Sequence, residues 1–118
     1  MRIDLFPDEV YVFTPQGEIK SLPKGATPVD FAYAIHSEVG DQCVGAKVNG
    51  RIVPLTHKLS NGEQVEVLTA RQGTPSRDWL KFVKTAKART RIKQYIRTVE
   101  KERAISLAKE MLEKEGRR

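Results

Sequence analysis

A phenol and an imidazole stand three residues apart at Tyr33 and His36, in a stretch that predicts a helix. Side chains three residues apart lie on the same side of a helix. Flat rings of this kind stack on unpaired nucleic-acid bases and hydrogen-bond to base edges. Both residues are also ordinary packing residues. A binding surface and a purely structural role therefore stay open for each.

The other chemically reactive side chains show no pattern typical of a catalytic or metal site. His36 and His57 fall on different predicted elements, without the spacing to Cys or acidic residues that zinc requires. Cys43 lies inside a predicted strand, which favours an inert buried thiol over a nucleophile. No Gly-rich phosphate loop precedes a helix. We therefore expect a non-catalytic binding or regulatory module, without a metal or cofactor of its own.

The helix that positions the two rings is predicted over residues 28–40. Thr27 is suited to the N-cap, Pro28 to the first helical position and Asp30 to the acidic position of a capping box. Gly40 is suited to a left-handed residue that ends the helix.

The two sides of this helix are predicted from a spacing of 100° per residue. The buried face consists of Phe31, Ala32, Ile35 and Val39. A half-exposed stripe beside it consists of Val29, Tyr33 and His36, and Asp30 points away from both. The two rings are therefore expected at the rim of the core.

Five strands are predicted in the first seventy residues, over residues 9–13, 18–22, 43–48, 51–53 and 64–68. Asn49-Gly50 is a strong signal for a type I′ hairpin. Two hairpins, one helix and a returning strand predict an α+β fold in which one helix covers a mixed five-stranded sheet. The ubiquitin-like β-grasp has this layout.

The second part of the chain predicts helices. Residues 71–76 are expected to be a linker, Ser76 to cap a short helix containing Trp79, and a long helix to run from Ala86 to about Glu115. The apolar stripe of the long helix shifts around the axis near residues 100–103. That shift suggests either a homodimer through these helices or a piece of a larger protein. The predicted division is a lead-in (1–8), a β-grasp domain (9–70), the linker and a basic helical segment (77–118).

Charge is divided unevenly between the two parts. Residues 1–70 have a net charge of −3 and residues 71–118 a net charge of +9. Such a segment suits nucleic-acid phosphates or an acidic protein, although a merely solvated helix surface explains it equally well. Its candidate contacts are Arg77, Lys81, Lys84, Lys87, Arg89 and Arg91.

Lys47 and Arg51 flank the Asn49-Gly50 turn and are further candidates for phosphate contacts, or for a solvated hairpin tip. No apolar run approaches the ~20 residues that span a membrane, and no signal peptide is evident. A single Cys indicates a reducing compartment. We expect a cytoplasmic protein without membrane contact.

Three stretches resemble the TGS domain, namely Val12–Gly17, Leu22–His36 and Asn49–Leu55. This domain is shared by threonyl-tRNA synthetases, some GTPases and the RelA/SpoT enzymes of the stringent response. Pro75–Leu80 followed by a basic helix is similar to the last group. The resemblance covers residues 4 to about 115, and Gln16, where the family commonly has Lys, is a minor departure.

The resemblance implies that this chain is part of a GTP pyrophosphokinase or (p)ppGpp hydrolase whose catalytic domains are absent here. In that family the TGS domain is regulatory and contacts the CCA end of deacylated tRNA on the ribosome. His36 matches the family's histidine at that contact. We add Tyr33, Lys47 and Arg51 as RNA-binding candidates. The alternative function is a protein-docking module for the catalytic domains or for acyl carrier protein.

Overall fold

The computed structural model describes residues 8–116, with side chains through Glu113. Residues 1–7 of the predicted lead-in lie outside the described residues. Each predicted strand is confirmed to within one residue at either end, and so is the long helix. The elements are β1 (Glu9–Phe13), β2 (Ile19–Pro23), α1 (Pro28–Ile35), α2 (Ser37–Asp41), β3 (Cys43–Val48), β4 (Arg51–Val53), β5 (Val65–Thr69), a 3-10 helix (Arg77–Lys81) and α3 (Ala86–Gly116).

The strands form two sheets joined by one parallel bridge. β1 pairs with β2, and β3 pairs with both β4 and β5, all antiparallel. The bridge joins Phe13 to Gln64. Because β1 ends where β5 begins, the two strands do not run side by side, and the predicted five-stranded sheet is divided at this point. The predicted α+β architecture is otherwise confirmed.

The β3–β4 hairpin has the predicted turn. Asn49 has a φ of 52° and Gly50 a φ of 84°, so both central residues adopt the positive values that a type I′ turn requires. This turn fixes the register in which Val48 lies opposite Arg51.

The predicted continuous helix over residues 28–40 is interrupted at His36. This residue has extended backbone angles, φ −165° and ψ 147°. Its N–H donates to the Ala32 carbonyl (3.2 Å) and closes α1. Its side-chain Nδ1 accepts the Glu38 N–H (3.0 Å) and caps α2. Gly40 lies within α2 and is not left-handed, so its predicted role as the end of the helix is wrong.

Two hydrophobic clusters enclose α1. The first joins Phe31 to the strands through Val10, Val12, Leu22, Ala26, Val48, Leu59 and Val65. The second joins Val29, Ala32, Tyr33 and Cys43 to residues that follow the predicted linker, namely Trp79, Val83, Ala88 and Ile92. The start of the C-terminal segment therefore belongs to the core of the β-grasp part, and α1 is buried on more than one side.

The two halves of α3 have different surroundings. Ala88 and Ile92, in the first half, are fully buried. Every described side chain from Arg97 to Glu113 is exposed. These include five large apolar residues: Val99, Ile105, Leu107, Met111 and Leu112. The second half thus extends beyond the domain with large apolar side chains that are uncovered among the described residues.

Candidate nucleic-acid interface

His36 is exposed at the break between α1 and α2. Its Nδ1 accepts the Glu38 N–H, so the neutral imidazole carries its proton on Nε2. No described residue forms a hydrogen bond or ion pair with Nε2. The backbone therefore fixes the ring from one side and leaves the second nitrogen available to a partner.

A groove of about 530 Å³ lies near the C-terminal end of α1, and its lining includes the charged residues Glu18, Lys20 and Glu66 but not His36 itself. Ile35 and Val39, on either side of the histidine in sequence, line it together with Val65 and Val67 of β5. The turn between β1 and β2 forms its other wall. The groove occupies the place where β1 has ended and β5 continues, so the division between the two sheets creates it.

Tyr33 is fully buried, and the prediction that its ring is available to an RNA base is wrong. Residues of the C-terminal segment, including Trp79 and Ile92, cover the side of α1 that we expected to be half exposed. The phenol OH donates to Asp41 Oδ1 (2.9 Å). Burial raises the pKa of Tyr33 well above its ordinary value of 10.0, and the hydrogen bond and the charge of Asp41 act in the same direction. Tyr33 is therefore a structural residue.

Asp41 links this phenol to α3. Its second carboxylate oxygen lies 3.1 Å from Arg91 Nη2. The chain Tyr33–Asp41–Arg91 therefore connects α1, the end of α2 and α3 through polar contacts.

Asp30 forms a second connection between α1 and α3, which sequence reasoning missed. Its carboxylate is fully buried rather than pointing away from the core. It accepts the Thr27 N–H (2.9 Å), as expected for the predicted capping box, and also the Thr27 hydroxyl (3.1 Å). From the C-terminal segment it accepts the Lys84 N–H (3.0 Å) and both the N–H and the hydroxyl of Thr85 (2.8 Å each).

Thr85 is at the same time the cap of α3. Its hydroxyl oxygen accepts the Ala88 N–H (3.2 Å), and its carbonyl accepts the Arg89 N–H (3.2 Å). One buried carboxylate therefore holds the N-termini of α1 and α3 together. The sequence signal for this is weak, because Asp30 and Thr85 are 55 residues apart.

Most of the predicted basic contacts on the C-terminal segment have partners within the described chain. Arg77 pairs with Glu100, Lys81 with Asp78, Arg89 with the Val83 carbonyl and Arg91 with Asp41. Lys84 and Lys87 are exposed and have no ion pair among the described residues. These two are the most available of the six to an anionic partner.

Lys47 and Arg51 lie on the β3–β4 hairpin, as predicted. Arg51 is exposed and Lys47 is half-buried opposite Glu66 of β5. The hydrogen bonds of the described residues join neither of them to His36. Their contact with RNA phosphates stays a prediction.

Cys43 is buried, as predicted. It is 2% exposed, and burial raises its pKa from an ordinary value of 9.0 to about 11. Within the described part of the chain, no three His, Cys, Asp or Glu side chains are grouped so that they could hold a metal ion.

Comparison with known proteins identifies the family. The sequence profile of the TGS domain matches residues 10–69. The chain belongs to the TGS domain family. The β-grasp fold and the resemblance to RelA/SpoT proteins are thereby confirmed, the latter because the similarity continues beyond the TGS domain into α3.

Three relatives illustrate that similarity. The GTP pyrophosphokinase of Myxococcus xanthus is 58% identical over the whole chain. The bifunctional (p)ppGpp synthase/hydrolase RelA of Mycobacterium tuberculosis is 49% identical over the whole chain, and the SpoT protein of Escherichia coli is 47% identical over 95% of it. The chain spans 16% of the length of each of these relatives. It corresponds to the TGS region of such proteins. None of the helices in residues 8–116 has the length and apolar character to cross a membrane.

Proposed function

We propose that this TGS domain is a non-catalytic regulatory module that binds the unpaired CCA end of deacylated tRNA on the ribosome. It signals that contact to catalytic domains of a parent chain that synthesises or hydrolyses (p)ppGpp in the cytoplasm. The observation that carries the proposal is the exposed His36 ring, whose Nδ1 is fixed by the Glu38 N–H, between two residues, Ile35 and Val39, that line a groove of mixed polar and apolar character.

The chemistry of the site suits an unpaired nucleotide. An imidazole face stacks on a base, which contributes ~1–3 kcal/mol, and the Nε2–H donates to a base edge or a phosphate. The groove lined by Ile35 and Val39 offers apolar walls to a second base. An aminoacyl group on the terminal ribose needs space that a close fit denies, so the same site distinguishes charged from uncharged tRNA.

A conformational change caused by binding at His36 would reach α3 through α1. His36 closes this helix at its C-terminal end, and Asp30 holds its first turn to the start of α3. The Tyr33–Asp41–Arg91 chain adds a second connection. A displacement of α1 or α2 on binding is therefore passed to α3.

A binding experiment tests the RNA contact. The chain is titrated at low salt with an acceptor-stem RNA that ends in CCA and with the same RNA lacking CCA. We expect tighter binding of the first, and His36→Asn to abolish the difference, because Asn still caps α2 but has no ring to stack. His36→Phe restores stacking and should recover part of the affinity. Equal binding by the wild type and His36→Asn would remove His36 from the contact.

A second candidate function is docking of the catalytic domains or of an acidic protein such as acyl carrier protein. The exposed Lys87 and Lys93 and the exposed apolar residues of the second half of α3 favour it. Lys87→Glu combined with Lys93→Glu should weaken binding of an acidic protein, whereas His36→Asn should not. The exposed apolar residues of α3 also allow a homodimer. In that case sedimentation should show a dimer that Leu107→Glu dissociates.

A further inference from the structure

Three lysines from separate parts of the chain line one pocket. Lys24 follows β2, Lys58 lies between β4 and β5, and Lys84 precedes α3. The pocket has a volume of about 490 Å³, and none of the described residues that line it is acidic. We propose that it binds a small ligand with two or more adjacent phosphate groups, such as inorganic pyrophosphate, a polyphosphate or a nucleoside polyphosphate.

The described residues that line the pocket include three positive charges and no negative one. The three lysines are exposed and form no ion pair with a described residue. Carboxylates in two neighbouring segments already have donors: Glu63 accepts the Ser60 N–H and lies 3.3 Å from His57 Nε2, and Asp30 accepts the Lys84 and Thr85 N–H groups. Ammonium groups that share a pocket repel one another, and a polyanion between them relieves the repulsion.

Neutral side chains supply further donors. Ser60 and Asn61 line the pocket, and the Asn61 Oδ1 accepts the Tyr11 N–H (2.8 Å), which leaves the Asn61 amide nitrogen to donate. A single phosphate would fill only part of a pocket whose size falls in the ordinary range for small ligands. Charge and size together favour a ligand with several phosphates.

Lys84 is held in place for this role. Its stem lies across Gly25, where an added Cβ would be 3.3 Å from Lys84 Cε. Gly25 has a φ of +87°, so its lack of a side chain serves both the backbone conformation and this contact. The Lys84 N–H is fixed by Asp30 (3.0 Å). Backbone and stem are therefore positioned, and the ammonium end is left to meet a ligand.

The pocket is distinct from the His36 groove. It lies by the N-terminal end of α1, where Lys84 meets Asp30, whereas His36 closes the other end. A ligand that bridges Lys24 and Lys58 to Lys84 would tie the β-grasp part to the start of the C-terminal segment. Such a ligand should stabilise the contact between Asp30 at the start of α1 and Lys84 and Thr85 at the start of α3.

Calorimetric titration with phosphate, pyrophosphate and tripolyphosphate at matched ionic strength tests the site. We expect saturable binding that strengthens in that order. Lys24→Gln and Lys58→Gln should each weaken it about three- to tenfold, because each removes one charged donor to the phosphates. Lys101→Gln, at an exposed position on α3, is the matched control and should change nothing. Ligand binding should also raise the unfolding temperature.

Three outcomes would overturn the proposal. If Lys101→Gln weakened polyphosphate binding as much as Lys24→Gln and Lys58→Gln do, the effect would come from the net charge of the protein and not from a specific site. No saturable binding of either polyphosphate would exclude a small ligand. Binding of duplex RNA alone, lost in Lys24→Gln, would assign the pocket to a nucleic-acid surface. His36→Asn should leave polyphosphate binding unchanged, so failure here is separable from failure of the tRNA proposal.

Discussion

The backbone of Gly40 lies directly against the ring of Tyr33. A Cβ added at residue 40 would stand 2.2 Å from Tyr33 Cδ1 and 2.4 Å from Cγ. Glycine is therefore required here by the close approach of α2 to the phenol, and not by a left-handed backbone. The contact locks the short helix that follows His36 onto α1.

Gly40→Ala should destabilise the protein. Ala in a helix is ordinarily more stable than Gly by about 0.5–1 kcal/mol, but here the clash with Tyr33 should reverse the sign and cost about 1–3 kcal/mol. Urea unfolding measures the change. Gly45→Ala is the control, since its Cβ meets Leu68 at an ordinary 3.4 Å. A Gly40→Ala protein as stable as the wild type would contradict the close contact.

Asp30→Asn should weaken the hydrogen bonds that hold the start of α1 to the start of α3, and so lower the free energy of unfolding. An amide offers one acceptor oxygen where the carboxylate serves donors from Thr27, Lys84 and Thr85, so we expect a loss of about 2–4 kcal/mol. Hydrogen exchange at the amides of residues 84, 85 and 88 should quicken more than exchange in β3. Asp78→Asn, at an exposed carboxylate, should alter neither measurement.

Ionisation of Tyr33 should be suppressed in the folded protein. Burial and Asp41 raise its pKa, so the wild type and Tyr33→Phe should show the same phenolate absorbance at pH 10 under native conditions. In denaturant at the same pH the wild type should gain absorbance relative to the variant. A difference in phenolate absorbance between the two folded proteins at pH 10 would indicate that the Tyr33 ring is accessible to water.

Cys43 should make stability fall at alkaline pH. Its folded pKa, about 11, lies above its ordinary value of 9.0, so the neutral thiol is favoured by folding. The resulting stabilisation is complete below pH 9 and is lost as pH rises towards 11. The difference in unfolding free energy between the wild type and Cys43→Ala should shrink over this range, by at most about 2–3 kcal/mol. A difference in unfolding free energy that stays constant from pH 9 to pH 11 would contradict the raised pKa of Cys43.

Local signals in the sequence were sufficient for most of the fold. Alternating residues predict the strands, Asn49-Gly50 predicts the hairpin turn, and the start of α3 at Ala86 agrees with the prediction. These features depend on neighbours within a few residues, so a single sequence contains them.

The errors concern contacts between distant segments. Tyr33 and Asp30 are buried because residues from Trp79 onward cover their side of α1, and the sequence of α1 does not specify that partner. One signal was present: Val29, Ala32 and Tyr33 form a second apolar side of α1, and the apolar residues Trp79, Leu80, Phe82 and Val83 follow the predicted linker. The break at His36 had no such signal, since the histidine caps α2 with its own side chain.

The exposed half of α3 has a geometric consequence. The packed part of this 31-residue helix reaches Ile96, so at 1.5 Å per residue about 30 Å of α3 projects beyond the domain. A tilt of the packed part by about 10° would therefore move the far end of the helix by ~5 Å, and a small adjustment beneath α1 becomes a larger displacement at that end.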